Sequence, residues 1–161
     1  MTFRTTRLLP LSALLLLAAC GGKDSTAKPA AGAAGAPAGT ELTAFQIEHG
    51  IGPITEAVKL GPVDKEMAEE GEETFKTKCS ACHKMTERYV GPPLGDVTRR
   101  RTPAFIMNQI LNPEGMYSKH PAVRQLLGEY MTQMPNLALT QEQARQVVEY
   151  LRTQAPDKSG S

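Results

Sequence analysis

Cys79-Ser80-Ala81-Cys82-His83 constrains this 161-residue chain more than any other stretch of it. A Cys-x-x-Cys pair followed directly by histidine is the attachment signature of a c-type haem. Two thiols three positions apart at a helix end can each add across one haem vinyl group. The histidine beside the second thiol then lies under the iron as an axial ligand. Other uses of such a pair fit less well. A structural zinc site wants four ligands, and beyond Cys79, Cys82 and His83 only His49, His120 or carboxylates remain, with no second paired knuckle. A redox-active dithiol belongs in a βαβ setting, which the sequence does not offer. One covalent haem c is therefore the expected cofactor.

The third cysteine, Cys20, belongs to a different signal. Arg4 and Arg7 precede the apolar run Leu8 to Ala19, which is shorter than the roughly 20 residues a spanning helix needs. Residues 1–19 read as a signal peptide. Leu17-Ala18-Ala19-Cys20 resembles the lipobox of bacterial lipoproteins, which makes Cys20 the expected lipidated N-terminus. Several acyl chains anchor more firmly than one. Residues 20–40 contain little beyond Gly, Ala, Pro, Ser and Thr, the composition of a flexible tether. Such a leash spans about 25 Å root-mean-square. The expected location is the periplasmic side of a membrane, held by lipid.

Charge narrows the partners. The full chain carries a formal charge of +1, and without Arg4 and Arg7 the 18 basic residues become 16 against 17 acidic ones. Nucleic-acid binding needs a concentrated basic excess, so that class is set aside. Hydrophobic residues make up 40% of the chain and charged residues 22%, which excludes both a multispanning membrane protein and a coiled-coil rod.

Residues 41–63 are interrupted by Gly50, Gly52, Pro53, Gly61 and Pro62. They read as an N-terminal extension packed on the domain through Phe45, Ile47, Ile51 and Ile54. From Asp64 the signals are helical. Asp64 caps a helix with Glu66, Glu69 and Glu70 in its first turns and Met67, Gly71 and Phe75 on one stripe, running into Cys79. Thr102-Pro103 starts a second helix, which Asn112-Pro113 ends. Val123, Leu126, Leu127 and Tyr130 share the face of a third, with Pro121 near its start. Thr140 and Gln143 form a capping box for a fourth, whose stripe of Ala144, Val147, Val148 and Leu151 continues until Pro156. No alternating strand pattern occurs. The fold class is all-α, with the domain over 64–155 and a short tail over 156–161.

From Asp64 to Thr153 the sequence resembles the class I monohaem cytochromes c, a fold of about four helices around one haem. Gly71 and Phe75 resemble the family's glycine and aromatic pair, where the glycine admits close crossing by the C-terminal helix with Tyr150 and Leu151. Gly91-Pro92-Pro93-Leu94 resembles the stretch whose proline carbonyl accepts the Nδ1 proton of the ligand histidine, here Pro92 and His83. The resemblance implies a sixth iron ligand in the loop before the last helix, Met134 in Met134-Pro135, with Met131 as runner-up and His120 behind both. It also implies haem contacts from Pro92 and Leu94. Arg99, Arg100 and Arg101 precede a helix close in sequence to the haem crevice and read either as a solvated basic turn or as holding a haem-propionate partner, for which Arg101 is taken. Lys76, Lys78, Lys84 and Arg88 flank the motif and can surround an exposed haem edge facing an acidic partner.

An iron bound on both faces leaves outer-sphere electron transfer as its chemistry. The sequence thus reads as a non-catalytic electron carrier. Its expected partners are a quinol-oxidising complex as donor and a periplasmic reductase or terminal oxidase as acceptor. Ile51 to Ile54 and Arg88 to Leu94 look similar to lipoprotein cytochromes found alongside nitrous oxide reductase. The competing readings are a haem peroxidase or ligand sensor with an open sixth site, and a subunit of a larger respiratory complex docked through residues 41–63.

Overall fold

The computed structural model describes residues 41–155. The expected signal peptide over 1–19, Cys20, the expected tether over 20–40 and the expected tail over 156–161 lie outside the described residues. Among the described residues the regular structure is entirely helical. The helices are α1 Ala44–His49, α2 Lys65–Thr74, α3 Val97–Arg100, α4 Pro103–Leu111, α5 Pro113–Lys119, α6 Pro121–Tyr130 and α7 Gln141–Gln154.

Local chemistry sets most boundaries. The Asp64 side chain accepts a hydrogen bond from the backbone N–H of Met67 at 3.1 Å, and Thr102 accepts from that of Phe105 at 3.2 Å. Thr140 and Gln143 form a reciprocal capping box at the start of α7. Such caps each stabilise a helix by about 1 kcal/mol. Asn112 ends α4 and caps α5, so the stop at Asn112-Pro113 is also a restart. The expected helix into Cys79 changes pitch at its end: Phe75–Cys79 is a π-helical turn in which the N–H of Ser80 bonds to the carbonyl of Phe75 at 2.9 Å. A π-turn inserts one extra residue per turn and so re-aims the side chains that follow.

The core forms where the π-turn that follows α2 meets α4 and α7. Phe75, Ile106, Met107, Ile110, Ala144, Val147, Val148 and Leu151 are buried together. Each large side chain contributes roughly 1.5–3 kcal/mol by leaving water. A second cluster of Phe105, Met116 and Val123 sits under α5 and α6, with Ile51 and Tyr117 against it.

The extension is part of this architecture. Asn108 of α4, fully buried, donates to the carbonyls of His49 and Ile54 at 3.0 and 2.9 Å and accepts from the N–H of Ile54 at 2.9 Å. Asn112 donates to the carbonyl of Ile51 at 2.9 Å. Buried His120 donates from Nε2 to the carbonyl of Ile47 at 3.0 Å. Ile51 and Ile54 pack on the domain as read from the sequence, but Ile47 does not: the residue is 53% exposed, and its carbonyl makes the contact instead. The extension is thus held largely through its backbone polar groups, which no pattern of apolar side chains announces.

Buried Glu149 of α7 ties down the remainder. It pairs with Arg145 and Arg152 and accepts a long bond of 3.4 Å from the N–H of Asp64, while Arg152 donates to the carbonyl of Gly61 at 2.6 Å.

Candidate functional site

The π-turn delivers Cys79 into the core edge, and the N–H groups of Cys82 and His83 both bond to its carbonyl, at 3.0 and 2.9 Å. The chain then folds back on itself. The N–H of Gly91 bonds to the carbonyl of Cys82 at 2.8 Å, and that of Leu94 to the carbonyl of Lys84 at 2.9 Å. This return brings the Pro92 carbonyl 2.9 Å from His83 Nδ1. Bonding to a carbonyl requires that Nδ1 carry the proton, which leaves Nε2 with its lone pair free. A β-carbon at Gly91 would run into the imidazole ring, so this close approach depends on glycine.

Burial acts on both kinds of side chain. It pushes the Cys79 thiol up to about 11, with Cys82 adding to the effect, so the sulfur is held as a neutral thiol. It pushes His83 below its ordinary value against the opposing pull of the Pro92 carbonyl, which favours the neutral imidazole a metal requires.

Cys79, Cys82 and His83 open onto an apolar cavity of about 240 Å³. Met134 and Gln109 line the same cavity, as do Pro92, Leu94 and Arg101. Two thiols, a neutral imidazole and a thioether around apolar walls form a donor set suited to haem c. Among the described residues no group of three or more His, Cys, Asp and Glu side chains is placed to hold a bare metal ion.

The candidates separate by position. Met131 ends α6 in the left-handed conformation (φ 53°) and the residue is 84% exposed, so the runner-up ligand faces solvent. His120 is engaged by Ile47 and packs edge-on against Phe105, away from ligation. Of the three arginines, Arg99 is exposed, while Arg100 lines the cavity and binds Asp96 and the carbonyl of Pro93. Arg101 lies 4.7 Å over the Phe105 ring at the cavity. Around the motif, Lys76 pairs with Glu72, and Arg88 pairs with Glu129 while stacking on Tyr130; Lys78 reaches the cavity.

Sequence reading missed two parts of the site. It took Leu126, Leu127 and Tyr130 for an ordinary core stripe, yet they line the cavity. It passed over Gln109, whose side chain donates to the sulfur of Met134 at 3.6 Å. A polar residue on the apolar face of α4 was the available signal.

The family model for cytochrome c matches residues 68–155. The chain belongs to the cytochrome c family. Among solved structures, cytochrome c from Rhodothermus marinus is similar at 49% identity and a TM-score of 0.65, over 68% of this chain and 95% of that one. An engineered form of the Rhodothermus marinus cytochrome bound to a carbene intermediate is similar at 48% identity and a TM-score of 0.63, over 68% and 96%. No curated protein matches. This cytochrome therefore has the class I cytochrome c fold and binds one covalent haem c as a haem-based electron carrier.

Proposed function

We propose that this cytochrome is an exported electron carrier, lipid-anchored at Cys20 and facing the periplasm, that performs no catalysis of its own. Cys79 and Cys82 form the two thioethers, and His83 and Met134 ligate the iron. Pro92 orients His83, Leu94 packs on the ring, and Arg101 faces a propionate. Haem c supplies a one-electron ferric–ferrous couple. The protein's part is to keep the ring dry, hold both ligands and present an edge to partners. Methionine in the sixth position raises the potential relative to a second histidine. A quinol-oxidising complex serves as donor and a periplasmic reductase, such as nitrous oxide reductase, or a terminal oxidase as acceptor.

The observation that carries this reading is that His83 and Met134 line one apolar cavity while Met131 faces solvent. A second reading, an iron that takes an exogenous ligand, draws on the carbene-bound engineered relative. Oxidised and reduced absorption spectra of the haem-loaded protein separate the two. A far-red sulfur-to-iron band in the ferric form, abolished by Met134→Ala, supports the carrier. A high-spin ferric iron that readily binds cyanide, or a ferrous iron that readily binds carbon monoxide, replaces it with the second reading.

A further inference from the structure

Arg88 ties the segment that follows His83 to the end of α6. It lies on the return pinned by the bond from the Gly91 N–H to the Cys82 carbonyl. Its Nη1 donates to Glu129 Oε1 at 2.9 Å and its Nη2 to the main-chain carbonyl of Glu129 at 2.7 Å. The central carbon of the same guanidinium lies 4.1 Å from the centroid of the Tyr130 ring. The pair is half exposed, and an exposed ion pair by itself contributes little. Here the fork also caps a helix end, where carbonyls lack partners within the helix and the dipole is negative.

What α6 runs into makes that fork matter. Met131, the next residue after Tyr130, takes a left-handed conformation (φ 53°), and so does Ala138 (φ 53°); among the described residues no other non-glycine residue has a positive φ. Residues with a β-carbon disfavour this region. Between the two, residues 132–137 make no main-chain to main-chain hydrogen bond among the described residues. Tyr130, Thr132, Gln133 and Met134 all line the cavity. The main-chain anchors of the Met134 loop are therefore its two ends: the Thr140 cap downstream, and upstream the last turn of α6 that Arg88 grips.

We propose that Arg88 is a positioning residue for Met134: by latching the end of α6 to the return after His83, it keeps the loop closed and opposes displacement of the thioether by a small exogenous ligand. The inference rests on Met134 being the sixth ligand. A ligand that binds only the open form has its apparent affinity scaled by the fraction of molecules that are open. Loosening the latch raises that fraction and leaves the axial side chains themselves unaltered.

Cyanide titration of the haem-loaded ferric full chain, followed by loss of the far-red band, tests this with Arg88→Gln and Arg88→Leu. Both variants are expected to bind cyanide about threefold more tightly than wild type, the result of a threefold larger open fraction. The sign separates latch from charge, since removing a cation by itself weakens the hold on an anion. Lys76→Gln breaks another exposed pair, with Glu72, and is expected to show no increase. Equal or weaker cyanide binding in both Arg88 variants overturns the proposal. So does an equal rise in Lys76→Gln, which marks a general effect of losing surface charge. Absence of the band from the wild type, or its survival in Met134→Ala, instead removes the ligation reading underneath.

Discussion

Gly71 of α2 lies against the backbone carbonyl of Gln146 in α7, so closely that a β-carbon at position 71 would overlap the oxygen. The neighbouring Phe75 and Tyr150 rings, 5.3 Å between centroids, pack at the same crossing. The two helices thus meet backbone to backbone. Because the obstacle is main chain, it has no rotamer through which to yield. Gly71→Ala is expected to cost about 3 kcal/mol by forcing the helices apart. Urea denaturation of the haem-loaded protein measures this, and a loss under 1 kcal/mol would show that the crossing is looser than described.

Asn108 satisfies three backbone groups of the extension at once. Asn108→Ala leaves those groups without their partner inside the protein and opens a void beneath Gly52. The expected loss is about 2–4 kcal/mol, from unmet hydrogen bonds with a packing contribution. Limited proteolysis should cut near residues 50–54 in the variant before the domain itself unfolds. Equal resistance in both proteins would count against the extension being held by this side chain.

Gly91 faces the His83 ring with no room for a side chain. Gly91→Ala should push the imidazole away from the carbonyl of Pro92. The expected result is a lower yield of haem-loaded protein, and a loss of about 1–3 kcal/mol in what does mature. A pyridine haemochrome assay against total protein reads the first effect and thermal unfolding the second.

The guanidinium of Arg100 beside Asp96 holds that carboxyl below its ordinary value of 3.8. A carboxyl with a depressed folded-state value contributes stability that is complete above its unfolded-state value and vanishes as pH falls through the folded one. The side chains are 48% and 49% exposed, so solvent screens the pair and its worth is at most about 0.5 kcal/mol. Wild type and Asp96→Asn should differ by that small amount at neutral pH and converge below about pH 4. Urea midpoints across that range measure it, and divergence on acidification would reverse the sign assigned here.

Much of this protein was determined by residues near one another in the chain. The Cys79 to His83 motif named the cofactor, and Asp64, Thr102 and Thr140 each located a helix start, because a cap and its N–H donor are three residues apart. The tertiary structure decided what depends on pairs far apart in sequence. Met131 and Met134 are chemically identical, and only the turn at the end of α6 sends one to solvent and leaves the other at the cavity. The extension reads as broken and weakly apolar because its partners, Asn108 and His120, lie more than fifty residues downstream and bind its backbone rather than its side chains. Gln109 meets Met134 across 25 residues of chain, a contact that no local rule specifies. Local hydrogen bonds and helical periodicity leave a signature in a short window of sequence, whereas which loop residue faces the cavity is settled only when the helices have packed.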